Sequence, residues 1–311
     1  MKSLRGSLFI VAGTVFWGLS AVLAKILFNK ELGDSFHIDP LILVQTRVSF
    51  SCLVMFAFFL LVDRSTLRID ARDIYRFVLL GIIGIAGSNF TYYFTIQQIN
   101  VSTAILMQYT APLLVLAYAT ISKEESLSVI KVLAALLSIV GCFLAVGGGE
   151  LSLSRLGGLG FISGFGSAVC WAFTNVYVRH LLRTYSVWTI LTYSFFVASV
   201  FWLFVNPPWT IVRLHYAPEM WLQFFGFALI SVLIPHIFYF TGVRYVTASR
   251  AIITGTFEPI VAITSSFLIL GEILSTMQVL GAVTVIAAIA LLQLKREEAE
   301  IVHHVEATEL K

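Results

Sequence analysis

Residues Ala248–Glu272 read ASRAIITGTFEPIVAITSSFLILGE, an apolar stretch about long enough to cross a bilayer, with a Glu-Pro pair in its middle. The stretch has a copy 147 positions earlier, where Val101–Glu125 reads VSTAILMQYTAPLLVLAYATISKEE. The gapless match places a mid-span proline, Pro112 or Pro259, and an exit glutamate at one spacing in both copies. Such a match indicates an internal duplication, so the chain divides into two halves.

The composition of the chain is that of a polytopic membrane protein. Of the 311 residues, 59% are hydrophobic and 12% are charged, and the mean hydropathy is +0.92. A soluble protein is roughly one-quarter charged, so this chain has too little polar surface to face water. Cys52, Cys142 and Cys170 lie far apart in apolar runs without the spacing of metal ligands. We therefore expect buried cysteines, no metal site and no cofactor.

Ten apolar segments have about the 20 residues that a transmembrane helix needs. The predicted spans are 6–28, 41–62, 76–97, 101–122, 129–147, 158–179, 187–206, 221–243, 249–270 and 276–294. The first segment is longer than a signal-peptide core and lacks a small-residue cleavage site, so we expect it to stay as the first span. The predicted fold class is an all-α integral membrane protein with ten transmembrane helices.

Five spans in each half is an odd number, so the second half enters the membrane from the opposite side. The halves are then inverted repeats, predicted at 1–147 and 148–294, with a cytoplasmic tail at 295–311. Fifteen of the 20 Lys and Arg residues fall on the side of the N-terminus and three on the other side. By the positive-inside rule this predicts that both termini are cytoplasmic, with Arg244 and Arg250 as topology anchors.

Four stretches resemble the EamA branch of the drug/metabolite transporter superfamily. They are FWGLSAVLAK at 16–25, TRVSF at 46–50, the segment 102–112, and TFEPIVAITSSFLILGE at 256–272. The resemblance covers about residues 6–294. It implies two five-helix repeats, termini inside, and a central cavity that opens to alternate sides. It also implies transport of amino acids and related small metabolites, often outward.

Three charged residues within the spans are the first candidates for a substrate site. Glu258 lies about 13 Å deep, where an unpaired carboxylate costs at least a few kcal/mol. It is interpreted as a proton-coupling or substrate-amine site, the alternative being a structural ion pair or a carboxyl bonded to helix ends. Lys25 and Arg47 are its predicted partners, and either could instead bind a substrate carboxylate. Lys25 could also extend to the outer interface. The first half has Ala111 where the second has Glu258, so the carboxylate is not duplicated.

Prolines, polar residues and aromatic residues complete the predicted site. Pro112, Pro235 and Pro259 each remove a helical donor and are predicted to kink their spans beside a cavity. The other residues share positions deep within spans, and several are matched between the halves; each could alternatively serve packing or interhelical hydrogen bonding. These remaining candidates for substrate binding are Trp17, Asn89, Tyr92, Tyr109, Trp171, Asn175, His236 and Tyr239.

The function that the sequence favours is a secondary transporter, an inner-membrane permease that exports amino acids or similar metabolites. No G-x-x-x-x-G-K-[ST] loop occurs, so the driving force would be a gradient, with protons as one option. The clustered acids, His-Glu-x-x-His helix or serine elbow of a membrane enzyme are also absent from the sequence. The alternatives are a lipid or lipophilic-drug transporter and a non-transporting accessory protein. The expected partners are a small-molecule substrate and the bilayer, without nucleic acid, and the chain would be a monomer or weak dimer.

Overall fold

The computed structural model describes residues 2–28, 40–99, 101–147 and 158–294, and these residues are almost entirely helical. Ten of the described helical segments are long and apolar enough to cross a membrane. The predicted all-α fold with ten spans is therefore confirmed. The predicted tail at 295–311 lies outside the described residues.

The first half contains five spans, of which the third and fourth are interrupted. In chain order its helices are α1 (Lys2–Phe28), α2 (Pro40–Val62), α3 (Ile74–Leu79), α4 (Ser88–Gln98), α5 (Val101–Gln108), α6 (Ala111–Ile121) and α7 (Val129–Gly147). A π-helix, Leu80–Gly87, joins α3 to α4, so these three pieces form span three. Span four consists of α5 and α6.

The second half repeats these interruptions. Its helices are α8 (Leu159–Leu181), α9 (Val187–Val205), the short α10 (Pro208–Val212), α11 (Pro218–Ala228), α12 (Ile234–Val243), α13 (Ala248–Gly255), α14 (Glu258–Leu270) and α15 (Thr276–Leu294). A second π-helix, Leu229–Leu233, joins α11 to α12 in span eight, and Pro235 is the second residue of α12. Span nine consists of α13 and α14. The 147-residue offset places the second π-helix on 82–86, within the first one.

The two halves pack crosswise. Span one contacts span eight through α1 and α12, and span six contacts span three through α8 and α4. At the first of these crossings, a Cβ on Gly242 would lie 2.7 Å from the backbone oxygen of Gly6, so only glycine permits the approach. The matched pairs α2 with α9 and α7 with α15 also pack together. Two halves related by a pseudo-twofold axis produce this pattern of contacts.

The connector 63–73 joins spans two and three and is fastened to the second half. The Tyr193 hydroxyl donates to the Leu67 carbonyl at 2.6 Å, and the Tyr185 hydroxyl donates to Asp73 at 2.6 Å. At the start of the connector, hydrogen bonds from Ser65 and Thr66 hold the pKa of Asp63 below its ordinary value. The connector is thus an ordered part of the fold.

The interpretation of Arg250 as a topology anchor is wrong, because Arg250 is buried rather than exposed to headgroups. Its guanidinium donates to the Ser3 hydroxyl of α1 and to the Leu292 carbonyl of α15. Arg250 therefore ties the first, ninth and last spans together on one side of the protein. We call the side that holds the start of α1 and the end of α15 the terminal side, and the other the distal side. Arg244 is exposed, as an anchor would be.

Candidate functional site

Both broken spans are interrupted at the same place in their half. In span four α5 ends at Gln108 and α6 begins at Ala111; in span nine α13 ends at Gly255 and α14 begins at Glu258. Pro112 and Pro259 each occupy the second position of the new helix, where a missing N–H costs nothing. Glu258 is the first residue of α14, so its carboxylate lies at the positive end of that helix dipole.

Glu258 is partly exposed although it lies in the middle of span nine. Its carboxyl is a hydrogen-bond neighbour of the Tyr109 hydroxyl, which comes from the other broken span. Tyr92 and Tyr239 are near enough to interact electrostatically with it. Among the described side chains, no cation lies within ion-pair distance of Glu258. The carboxylate therefore borders an interior space in which no described side chain supplies its counter-ion.

Arg47 also borders this space, but the predicted ion pair between Arg47 and Glu258 is not formed. The Arg47 guanidinium donates to the Tyr93 hydroxyl at 3.2 Å and lies over the Phe227 ring, 5.6 Å from its centroid. Its Nε is buried and has no hydrogen-bond partner. Neither contact is with a carboxylate, and no described acidic side chain lies within ion-pair distance of Arg47. The second predicted partner, the side chain of Lys25, lies outside the described residues.

Tyr92 lies between the two charges. It interacts electrostatically with Glu258 and with Arg47, and its ring contacts that of Tyr93 at a centroid distance of 5.4 Å. His236 also lies near Arg47. Opposite charges from α2 and α14 therefore border one space that is also lined by Tyr92 of α4 and by Tyr109 in the break of span four.

The two matched tryptophans meet beside this space. The ring centroids of Trp17 and Trp171 are 5.8 Å apart at an interplanar angle of 75°. Trp17 also contacts His236 edge-on at 5.2 Å. All three side chains are partly exposed, so they line the space. Together with the charges and tyrosines they form what we call the central site: Trp17, Arg47, Tyr92, Tyr109, Trp171, His236 and Glu258.

Two of the predicted residues lie behind the central site. Asn175 and Tyr239 are each 1% exposed, and the Tyr239 hydroxyl donates to the Asn175 side-chain oxygen at 2.7 Å. The Asn175 amide nitrogen donates to the Trp171 carbonyl at 2.9 Å, which satisfies it locally. Both side chains are buried, and their contacts support the tryptophan wall.

Asn89 and His236, which are matched between the halves, make matched hydrogen bonds. The Asn89 amide donates to the Ile85 carbonyl at 2.7 Å, and His236 Nδ1 lies 2.7 Å from the Val232 carbonyl. Both carbonyls belong to the π-helices. One edge of each polar side chain is therefore used by its own span.

Tyr93 and Phe227 are site residues that the sequence reasoning missed. Tyr93 follows Tyr92 and is about 100° further around α4, so the sequence places it on a different face of the helix. Only the position of Arg47 shows that it belongs to the site. Phe227 is one of 26 phenylalanines, and no spacing distinguishes it from the others. Within the described residues, no group of three or more His, Cys, Asp or Glu side chains could hold a metal ion.

Comparisons with known proteins agree with this architecture. The model of the EamA-like transporter family matches residues 4–147 and 158–294. The chain is 22% identical over 295 residues to "Uncharacterized inner membrane transporter YicL" of Salmonella typhimurium, covering 93% of this chain and 95% of that protein. It is 23% identical over 300 residues to "Uncharacterized transporter YyaM" of Bacillus subtilis, covering 93% of each. A solved crystal structure, 15% identical, has the same fold with a TM-score of 0.73, covering 93% of this chain and 96% of that one.

The family model matches both halves separately and together covers most of the chain. This agrees with the duplicated breaks and with the crosswise packing of the spans. The protein is thus a multi-pass membrane transporter, and not an enzyme. It belongs to the EamA-like transporter family of the drug/metabolite transporter superfamily.

Proposed function

We propose that this chain is a secondary transporter of the cytoplasmic (inner or plasma) membrane that exports amino acids or related zwitterionic metabolites by alternating access. Both termini would be cytoplasmic, and the moving units would be the repeats 1–147 and 148–294. The observation that carries the proposal is the pair of opposite charges in the central site. Arg47 and Glu258 border one space, and neither has a protein counter-ion among the described side chains.

An unpaired charge within a membrane is costly, so two unpaired opposite charges are best explained by a ligand that supplies both partners. In this arrangement the substrate carboxylate binds the Arg47 guanidinium, whose fork accommodates two oxygens. The substrate ammonium, or a proton in its absence, binds Glu258. Tyr92 and Tyr109 lie between and donate hydroxyl hydrogen bonds, while Trp17 and Trp171 contact the substrate side chain.

The test is transport by purified protein in proteoliposomes loaded with the twenty amino acids, with and without an imposed proton gradient. We expect selective efflux of a subset that protein-free vesicles retain. The efflux should require both charges on the substrate, so an analogue without its carboxylate and one with an acylated amine should both be poor substrates.

One variant tests the role of the acidic charge, and a second serves as its control. In Glu258→Gln we expect loss of amine recognition or of the response to the proton gradient. Arg213→Gln removes an exposed cation on the distal side and should transport like the parent. Unchanged and equally pH-dependent efflux in Glu258→Gln would remove this residue from the site. Efflux of a lipid or lipophilic cation, with none of any amino acid, would favour the alternative cargo.

A further inference from the structure

The strongest group of buried charges outside the central site lies on the terminal side, where the two halves meet. Glu125 is 3% exposed and follows α6 of the first half. Its carboxylate accepts hydrogen bonds from the backbone N–H of Ser249 at 3.2 Å and from the Ser249 hydroxyl. Lys131 lies 3.0 Å from the same carboxylate, and Arg179 of the second half lies 3.7 Å away. One carboxylate therefore binds both halves.

Ser249 is the second residue of α13, so the contact is a helix cap supplied by the opposite half. A carboxylate at this position satisfies a free N–H and interacts favourably with the positive end of the helix dipole. The same eight-residue helix ends at the break beside Glu258. Thus α13 connects the Glu125 contact at one end with the central site at the other.

Among the described residues, the two broken spans pack against each other most closely on the terminal side. Here α6 packs against α13, and Val115, Leu116 and Ile252 lie in one buried cluster between them. In the part of the chain that the structure describes, their distal counterparts α5 and α14 pack less closely, and Leu106 and Ile260 meet only in a smaller buried cluster with Cys142 and Val285. The broken spans are therefore packed together more tightly on the terminal side than on the distal side.

Equivalent residues of the two repeats are buried on the terminal side and more exposed on the distal side. Leu116 is 3% exposed, whereas Ile263, which is 147 positions later, is partly exposed. Glu125 is 3% exposed, whereas its counterpart Glu272 is exposed on the distal side. Inverted repeats that exchange their roles would close the distal side with the equivalent residues.

We infer that Glu125 and Glu272 are a reciprocal pair of gate residues: Glu125 closes the terminal side by capping α13, and Glu272 closes the distal side in the opposite conformation by capping α5. The inference rests on the alternating access proposed above. Opening the terminal side breaks the Glu125 contact and lets α13 move about the break at Glu258, so the state of the gate is coupled to the occupancy of the central site.

The test measures the accessibility of the two sides as the labelling rate of a single added cysteine. The protein is held in nanodiscs, so that a thiol reagent reaches both faces. Leu116→Cys reports the terminal side and Ile263→Cys the distal side, each against the chain without the added cysteine. In Glu125→Gln we expect labelling of Leu116→Cys to become about tenfold faster, which corresponds to losing part of a buried charge-assisted contact, and labelling of Ile263→Cys to become slower. Glu272→Gln should change both rates in the opposite direction.

Two further variants make the result decisive. Glu124→Gln is the matched control, since the adjacent Glu124 pairs with His180 at 2.8 Å and does not cap α13. It should leave both rates near those of the parent. The double variant Glu125→Gln/Glu272→Gln should return both rates towards the parent values, which also shows that the single variants fold.

The inference is overturned if Glu125→Gln labels like Glu124→Gln. It is also overturned if both reporters become faster together, because that result describes a general structural tie. Labelling needs no substrate, so it can fail while zwitterion transport is found. Reciprocal labelling without any zwitterion transport would instead support the gate and reject the proposed cargo.

Discussion

Trp17 and Trp171 hold equivalent positions in the two halves, and their rings contact each other at a centroid distance of 5.8 Å. Equivalent residues of a two-fold arrangement can touch only near the axis that relates them. The pseudo-twofold axis therefore passes beside the central site. This places the site between the two halves, so a substrate held there would contact both of them.

The tryptophan pair predicts coupling between two mutations. Edge-to-face aromatic pairs contribute about 0.5–1.5 kcal/mol beyond the area they bury. We expect Trp17→Ala and Trp171→Ala each to lower the free energy of unfolding, and the double variant to lose less than the sum by about this amount. Thermal unfolding of the four proteins in detergent measures the cycle. Strict additivity would mean that the two rings do not interact in the folded protein.

Arg47 predicts a change in substrate affinity. A hydrogen bond to a charged group contributes about 1.5–3 kcal/mol, so Arg47→Gln should raise the half-saturating concentration of the transported zwitterion by roughly tenfold to a hundredfold. Arg47→Lys should lose less, because it keeps the charge but not the fork. Counterflow assays measure both, with Arg213→Gln as the exposed control. The same affinity in all of them would remove Arg47 from the site.

Much of this fold could be predicted because hydropathy and the repeat are local properties of the sequence. The breaks in spans four and nine follow from Pro112 and Pro259, since proline removes a donor wherever it stands. The π-helices could not be predicted, because Leu80–Gly87 carries no such residue. Its shape depends on packing, such as the approach of Gly81 to Val197, where an added Cβ would lie at 2.5 Å.

The candidate site, like the fold, has features that local sequence predicts and features that depend on packing between spans. Unpaired charges deep in an apolar span identified Glu258 and Arg47, because their cost in a membrane depends mainly on depth. Their pairing was predicted wrongly, because contacts between spans depend on helix rotation that one sequence does not encode locally. The role of Glu125 was also invisible, although its duplication with Glu272 was the available signal.

The contact between spans five and ten predicts a strong effect of volume at one glycine. A Cβ on Gly281 of α15 would lie 2.6 Å from the Gly141 carbonyl and would also meet the Ala145 backbone of α7. Backbone cannot move as a side-chain end can, so Gly281→Ala should lower the free energy of unfolding by about 1–3 kcal/mol. Gly226 has nothing within 4 Å of its added Cβ, so Gly226→Ala is the control. Equal melting temperatures for both variants would contradict the close packing.

The burial of Arg250 predicts that Arg250 contributes more to the free energy of unfolding than the exposed Arg244 does. Arg250→Gln leaves the Leu292 carbonyl and the Ser3 hydroxyl without their charged donor, so we expect a loss of about 1.5–3 kcal/mol in the free energy of unfolding. Arg244→Gln, in the same turn but exposed, should stay within about 0.5 kcal/mol of the parent. Denaturation in detergent separates them. A larger effect of Arg244→Gln would restore the interpretation of both as topology anchors.

The terminal gate predicts a conformational equilibrium that is insensitive to pH near neutrality. Burial raises the pKa of Glu125, but the hydrogen bond from Ser249 and the charge of Lys131 outweigh it and lower this pKa below its ordinary value of 4.5. A carboxyl with a lowered pKa stabilises the closed state fully above its ordinary pKa, and the stabilisation is lost only as the pH falls through the lowered value. The gate should therefore stay closed from about pH 8 to pH 5.

The labelling rate of Leu116→Cys is measured across this pH range and divided by the labelling rate of an exposed reporter, Leu127→Cys. This ratio removes the intrinsic pH dependence of thiol reactivity. We expect a constant ratio above about pH 5 and a rise only in stronger acid.

In Glu125→Gln the ratio should be higher and should not change with pH, because the titrating group is absent. The groups that face Glu125 are Lys131 and Arg179, and His180→Gln removes the nearby imidazole that pairs with Glu124. A ratio that rises between pH 8 and pH 5 in the His180→Gln background would show that the carboxylate of Glu125 does not control closure. If the ratio is constant while transport depends on pH, the proton acts at the central site instead.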